Sequence, residues 1–267
     1  MNNLKYKIKR LKELLSSWKS LLVAFSGGTD SSFLLAFAKS IKNLKVEAVI
    51  VTSPVYPENE TDFAISFCKE RDINYHIIKE PDIKHIEKNP ENRCYYCKMR
   101  LFSEAIKIAK KNNLNIVADG TNADDLLDYR PGLKALKRLK IRSPLAETGF
   151  TKEDIRVASK KMNLKTWDKP SLACLASRFP FGTKITNERL KMVSEAEEFL
   201  WKFKLSQVRV RWFEKNAIIE IKPEEFYIII KNYKKIVERL KSVGFKRIML
   251  DLEGYRTGSL NPERNKK

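Results

Sequence analysis

The chain has 267 residues, and its 53 lysines and arginines outnumber its 33 aspartates and glutamates, which gives a formal net charge of +20. With 43% hydrophobic residues and four cysteines, the composition supplies the core of one large or two modest domains and excludes both a disordered tail and a secreted disulfide scaffold. No apolar run approaches the ~18 residues that a membrane-spanning helix needs, so we expect a soluble, cytoplasmic protein with no membrane partner.

The first two-thirds of the chain alternate between predicted strands and helices. Continuous apolar runs bounded by turn residues are typical of buried parallel strands, and apolar residues at helical spacing predict the segments between them. In chain order we predict a basic amphipathic helix at 1–15, strand 21–25, helix 31–41, strand 46–51, helix 61–71, strand 75–79, helix 99–110 and strand 115–120. This alternation predicts an α/β fold with a doubly wound parallel sheet, whose ligands bind at the carboxyl ends of the strands.

The pattern changes in residues 166–186, which are irregular and rich in proline and aromatic residues. Such a segment predicts a long loop or linker, and long irregular segments are often functional. Beyond it we predict a helix at 187–203 with Asn187 as its N-cap, strands at 207–213 and 217–221, a helical stretch at 224–241 and a strand at 246–252. The predicted organisation is a domain at 1–165, a linker at 166–186 and a smaller C-terminal α+β domain at 187–267.

The segment Ser26-Gly27-Gly28-Thr29-Asp30-Ser31-Ser32 follows the first strand and opens a helix. Backbone N–H groups and the helix dipole bind phosphate at such a junction, and glycines let the backbone approach it closely. The loop has no lysine, so it is not a Walker A motif. A plain Gly-Gly turn would not require an aspartate and three serines. The candidate phosphate-binding residues are Ser26, Gly27, Gly28, Asp30, Ser31 and Ser32.

The cysteines are placed as metal or cluster ligands would be. Cys94 and Cys97 form a C-x-x-C at a loop-to-helix junction, and Cys174 follows 77 residues after Cys97, within the linker. Thiolates at this spacing suit a metal or cluster, but zinc would want a fourth ligand that no second C-x-x-C supplies. Three cysteines can hold a [4Fe–4S] cluster with one open iron. A disulfide or unligated thiols are the alternatives, and Cys68 is predicted to be a buried structural residue.

Three motifs resemble known families. Residues 26–31 resemble the SGGxDS pyrophosphate loop (PP-loop) of the ATP pyrophosphatases, whose adenine nucleotide alpha hydrolase-like fold includes GMP synthetases and tRNA thiolases. Residues 169–183, KPSLACLASRFPFGT, resemble the KPSxACLASRxPxGT signature of the LarE sulfur transferases. So does D-G-T-N at 119–122, followed by Asp125 and D-Y-R-P-G at 128–132. Together the matches extend over roughly residues 10 to 255.

The PP-loop resemblance implies that ATP is cleaved between its α and β phosphates, with Asp30 near Mg²⁺ and pyrophosphate. The LarE resemblance implies adenylation of a carboxylate of pyridinium-3,5-biscarboxylic acid mononucleotide, in the biosynthesis of the nickel-pincer cofactor of lactate racemase. A cysteine at the position of Cys174 then displaces AMP, and in single-cysteine members it gives up its own sulfur. Because Cys94 and Cys97 are also present, this sequence resembles the branch in which three cysteines hold a [4Fe–4S] cluster that carries sulfide. The resemblance also implies a homo-oligomer.

Further charged residues are candidates for substrate binding. Arg209 and Arg211 alternate along one predicted strand, so they face the same side, where family members bind the substrate phosphate and where a solvated strand face is the alternative. Arg178 is a third cationic candidate, and Glu220 in the paired strand aligns with a family carboxylate. Asp125, which with Asp124 and Asp128 follows a strand end, would either orient Mg²⁺ or the adenylate or cap a loop.

Three hypotheses of function follow. The leading one is a LarE-type sulfur transferase that uses ATP, Mg²⁺, a sulfur donor and a [4Fe–4S] cluster on a nucleotide substrate. A tRNA thiolase would use the positive charge to bind tRNA, although the linker is not a tRNA-thiolase signature and scattered lysines on helix faces are commonly just solvated. The third is a nucleotide-responsive iron–sulfur or zinc protein that adenylates nothing.

Overall fold

The computed structural model describes residues 2–127, 131–170 and 173–256. Contacts divide the chain into two compact units, one formed by residues 1–81 and 92–172 and the other by residues 82–91 and 173–267. Residues 166–170 of the predicted linker therefore belong to the first unit and residues 173–186 to the second. Among the described residues, none of the helices combines the length and the apolar character needed to cross a membrane.

A parallel sheet forms the centre of the first unit. Its strands are β1 (Ser20–Ala24), β2 (Lys45–Thr52), β3 (Asn74–Lys79) and β4 (Ile116–Ala118), in the order β3-β2-β1-β4 with every neighbouring pair parallel. Leu21 and Val23 of β1 pack into one apolar core, whereas Leu22 between them packs into another. The sheet is thus covered on both faces, as parallel sheets are. This confirms the predicted doubly wound α/β fold.

Seven helices accompany these strands in the described part of the first unit. They are α1 (Asn2–Ser16), α2 (Thr29–Lys39), α3 (Glu58–Glu70), α4 (Arg93–Lys111), α5 (Gly132–Arg138), α6 (Pro144–Glu147) and α7 (Lys152–Lys161). The chain passes from β1 to β2 on one side of β1, while β4 lies on its other side. At such a switch point the carboxyl ends of the two strands leave a crevice in which ligands bind. The loops after β1 and β4 lie there.

The second unit contains a small three-stranded sheet. β5 (Val208–Phe213) pairs antiparallel with β6 (Asn216–Ile221), which pairs in parallel with β7 (Ile248–Leu250). The helices α8 (Asn187–Trp201), α9 (Phe226–Lys231) and α10 (Tyr233–Val243) complete the unit. Strands and helices are therefore combined as the predicted α+β architecture requires.

Two predicted elements of the second unit need correction. The helical stretch predicted at 224–241 is a short 3₁₀ turn, Pro223–Glu225, followed by the two helices α9 and α10, which meet at Asn232. The N-cap of α8 is Thr186 and not Asn187, because the Thr186 hydroxyl accepts a hydrogen bond from the amide of Arg189 at 3.3 Å. Threonine and asparagine are both good N-caps, so sequence alone placed this boundary one residue late.

Glu47 on β2 is a buried carboxylate with two basic neighbours. Its carboxylate lies 2.6 Å from Nε2 of His76 and 3.0 Å from Nζ of Lys45. Burial alone would raise the pKa of Glu47, but the hydrogen bonds from His76 and Lys45 outweigh it and hold this pKa below its ordinary 4.5. The resulting contribution to the free energy of unfolding is present above pH 4.5 and is lost as the pH falls through the lowered pKa.

We therefore expect Glu47→Gln to flatten the acid limb of the stability curve, measured by urea unfolding from about pH 6 down to about pH 3. Glu104→Gln is the matched control, because Glu104 pairs with Lys107 at the exposed surface of α4, and it should leave the slope unchanged. An unchanged acid limb in Glu47→Gln would contradict the prediction.

Candidate functional site

The predicted phosphate loop lies between β1 and α2 and is closed by its own serines. The hydroxyls of Ser26 and Ser31 are 3.1 Å apart, and the Ser26 hydroxyl accepts a hydrogen bond from the amide of Gly28 at 3.5 Å. Gly27 has a φ of +73°, which favours glycine. Gly28 is the N-cap of α2, and since glycine has no side chain to cap the first-turn amides, they remain suited to an anion.

Two of the predicted loop residues point in different directions. Asp30 lies in the first turn of α2, and its carboxylate accepts a hydrogen bond from the side-chain amide of Asn122 at 3.0 Å. Ser32, two residues further along, is fully buried. A Cβ atom at Gly120, just after β4, would lie only 2.9 Å from the backbone nitrogen of Ser31. Glycine at 120 therefore allows the end of β4 to approach the phosphate loop, a requirement that sequence reasoning missed.

Asn122 connects two predicted site residues, Asp30 and Asp125. Besides its bond to Asp30, the Asn122 side chain accepts from the amide of Asp125 at 3.1 Å, and its own amide donates to the Asp125 carboxylate at 3.3 Å. Lys152 lies 3.5 Å from the buried Asp125 carboxylate. Asp124 instead accepts from the amide of Lys152 at the start of α7, as the loop-cap interpretation predicts. Asp128 lies outside the described residues.

Asp119, at the end of β4, gathers several donors that sequence reasoning did not single out. Its carboxylate accepts from the hydroxyl of Thr121 at 2.6 Å, from that of Ser143 at 2.7 Å and from Nζ of Lys98 at 3.2 Å. Lys98 follows Cys97 directly on α4. The bond therefore ties the start of α4, where the cysteine pair lies, to the strand end beside the phosphate loop.

Cys94 and Cys97 both lie in the first turn of α4. Their spacing of three residues places both thiols on one side of the helix; Cys94 is exposed and Cys97 half-buried. Cys174, half-buried, belongs to the second unit. Within the described ranges, no three histidine, cysteine, aspartate or glutamate side chains are grouped so that they could hold a metal ion. Cys68 is buried, and burial raises the pKa of its thiol to about 12, which agrees with a structural residue.

In the second unit, Cys174 begins a short 3₁₀ helix, Leu175–Arg178, that Arg178 holds from within. The buried Arg178 guanidinium donates to both carboxylate oxygens of Glu197 on α8, at 2.9 and 2.8 Å. Its remaining nitrogen donates to the carbonyls of Ala173 at 2.5 Å and Cys174 at 3.0 Å. Although burial lowers the pKa of Arg178, the Glu197 carboxylate more than offsets this and raises it. The guanidinium thus fixes the backbone on both sides of the Cys174 α-carbon.

Arg209 and Arg211 occupy alternate positions on β5, as predicted, and both are buried. Arg211 donates to Glu220 on β6 at 2.6 Å and to the carbonyl of Ser177 at 2.9 Å. Burial and the neighbouring charge of Arg178 lower the pKa of Arg209 to about 10. With Glu197, the cluster has three buried arginines and two buried glutamates, so its net charge is positive and favours an anion.

No family model matches the chain. It is 33% identical over 264 residues, 98% of this chain and 96% of the other, to the pyridinium-3,5-bisthiocarboxylic acid mononucleotide synthase of Lactiplantibacillus plantarum. It is 36% identical over 262 residues to an uncharacterized protein of Synechocystis, covering 97% of this chain and 98% of the other. A subunit of the glutamine-hydrolyzing GMP synthase of Thermococcus kodakarensis is 22% identical over 297 residues, covering 97% of this chain and 87% of the other.

Proposed function

The chain belongs to the LarE family of sulfur transferases, and we propose that it adenylates a carboxylate of pyridinium-3,5-biscarboxylic acid mononucleotide with ATP and replaces a carboxylate oxygen by sulfur. The observation that carries this proposal is the phosphate loop at the switch point of the sheet, where Gly120 lets β4 reach the first turn of α2. Sulfur transfer at Cys174 and a place in nickel-pincer cofactor biosynthesis are part of the same proposal.

The first step takes place in the first unit. The amides after Gly28 and the hydroxyls of Ser26 and Ser31 bind the phosphates of ATP. Asp30, oriented by Asn122 and Asp125, faces the Mg²⁺ that ATP brings, since magnesium prefers carboxylate and phosphate oxygens. An oxygen of the substrate carboxylate attacks the α-phosphorus, the bond to the β-phosphate breaks, and pyrophosphate leaves. The product is a mixed anhydride of the substrate and AMP.

The second step needs a strong nucleophile, because a carboxylate oxygen is a poor leaving group until AMP activates it. A sulfur nucleophile attacks the acyl carbon, the C–O bond to AMP breaks, and AMP departs with the electron pair. The net positive arginine cluster around Arg209 and Arg211 binds the phosphate of the substrate mononucleotide. Arg178, whose donors are directed to Glu197 and to the backbone at Cys174, adds its charge and holds the cysteine.

Two sources of sulfur are consistent with the cysteines. One is the Cys174 thiolate itself. The other is a [4Fe–4S] cluster on Cys94, Cys97 and Cys174, which would supply sulfide from its open iron. Cys94 and Cys97 suit two of its ligands, because one turn of α4 presents both thiols on the same side.

The proposal is tested by incubating the protein with ATP, Mg²⁺ and the biscarboxylic acid mononucleotide, and by measuring AMP, pyrophosphate and sulfur-containing product by mass spectrometry. We expect AMP and pyrophosphate in equal amounts, and Asp30→Asn to reduce their release on the order of 10²–10³-fold, as the loss of one positioned charge does. Asp62→Asn, at an exposed position of α3, is the matched control and should keep full activity. Release of ADP and phosphate, or full activity in Asp30→Asn, would contradict the proposal.

A further inference from the structure

Lys169 opens the KPS segment of the linker signature, yet in the structure it reaches the phosphate loop 142 residues earlier in the chain. Its Nζ donates to the carbonyl of Gly27 at 3.1 Å and to the carboxylate of Glu60 on α3 at 2.6 Å. It also lies 4.1 Å from the centre of the Phe63 ring. All of these residues belong to the first unit.

The backbone of the same segment is fastened to the first residue of α2. The hydroxyl of Thr29 donates to the carbonyl of Thr166 at 2.8 Å and to that of Lys169 at 3.3 Å. Arg156 on α7 also approaches the Lys169 carbonyl, at 3.4 Å. The Lys169 side chain is 18% exposed and that of Glu60 17%, so their ion pair is largely shielded from water. The position of Lys169 is therefore determined by several elements.

Glu60 places a negative charge where the loop would receive an anion. A Cβ atom at Gly27 would lie 3.6 Å from Oε2 of Glu60 and 3.5 Å from its carbonyl oxygen. A partly buried carboxylate so close to the loop repels phosphate unless a cation neutralises it, because like charges interact strongly where water is excluded. Lys169 is that cation, and it also turns the Gly27 carbonyl toward itself.

We propose that Lys169 is a positioning residue of the nucleotide site, which acts by neutralising Glu60 and by holding the Gly27 carbonyl. This inference rests on the proposed function, because it assumes that the loop binds the phosphates of ATP. It divides the linker signature into two parts. Residues 166–170 serve the nucleotide in the first unit, and the part that follows, with Cys174 and Arg178, serves sulfur transfer in the second.

The test measures binding of α,β-methylene-ATP with Mg²⁺ to the full chain by calorimetry, since this analogue is not cleaved between its α and β phosphates. We expect Lys169→Met to weaken binding about tenfold, the effect of uncovering one like charge near an anion. Glu60→Gln should stay within about twofold of wild type, and the double variant within about threefold, because the charge that Lys169 neutralises is gone. Lys160→Met, at an exposed position of α7, is the control and should bind like wild type.

Several results would overturn the inference. A loss in the double variant as large as in Lys169→Met means that Lys169 contacts phosphate directly or has a purely structural role. Loss of binding in Glu60→Gln alone means that Glu60 is a ligand of the metal. The defect of Lys169→Met should also shrink as salt is raised, and Lys169→Arg should restore binding if the methionine variant does not fold. Failure of wild type to bind the analogue overturns the nucleotide site itself, and this inference with it.

Discussion

Arg178→Met is expected to lower the free energy of unfolding of the second unit by about 3–5 kcal/mol, since removing one partner of a buried ion pair leaves the other charge uncompensated. Glu197 would be left buried on α8, with only the amide of Val210 at 2.8 Å still donating to it. The carbonyls of Ala173 and Cys174 would lose their donor as well. The measurement is hydrogen exchange of peptides from α8 and β5 in increasing urea.

The same helix supplies the control. Glu195 on α8 pairs with Arg239 on α10 at 3.0 Å, but their side chains are 34% and 43% exposed, so Arg239→Met should cost less than about 1 kcal/mol. Adding Glu197→Leu to Arg178→Met should recover part of the loss, because a buried pair can be replaced by apolar residues. Equal effects of Arg178→Met and Arg239→Met would show that the buried pair does not stabilise the unit.

The sequence predicted the phosphate loop because its signal is local. A buried strand, two glycines and the start of a helix follow one another within about a dozen residues, and periodicity and turn chemistry report such order directly. The same holds for the alternation of Arg209 and Arg211 on β5, which follows from the two-residue repeat of a strand. Elements of this kind need no knowledge of the rest of the chain.

The missed residues act over long separations. Lys169 and Gly27 are 142 residues apart, and Asn122 and Asp30 are 92 apart. No periodicity in one sequence reports which distant loops meet. A lysine in an irregular segment also looks like a solvated charge, so Lys169 carried no signal apart from its place in a motif. Arg178 was predicted as a phosphate ligand, and no local pattern indicated that Glu197 would occupy two of its donors.

Cys174→Ser is expected to abolish sulfur transfer, by more than about 10³-fold, while AMP and pyrophosphate are still released. Adenylation uses the phosphate loop of the first unit, whereas the serine hydroxyl is a far weaker nucleophile than a thiolate and a poor ligand for iron. Both sulfur routes therefore require this thiol. Cys68→Ala is the matched control, because the pKa of the Cys68 thiol is raised to about 12 by burial and the thiol stays protonated. Sulfur-containing product at the wild-type rate in Cys174→Ser would contradict the role of this residue.

Cys94→Ala separates the two routes, because only the cluster route uses the pair on α4. If a cluster supplies the sulfur, anaerobically purified wild type contains about four irons per chain with matching acid-labile sulfide, and Cys94→Ala loses both iron and product. If Cys174 gives up its own sulfur, Cys94→Ala still forms one product per chain, and the peptide that contains Cys174 loses the mass of H₂S after turnover. Cys174→Ser is inactive in either case, so the iron content and the mass of that peptide, and not the loss of activity, identify the atom that is transferred.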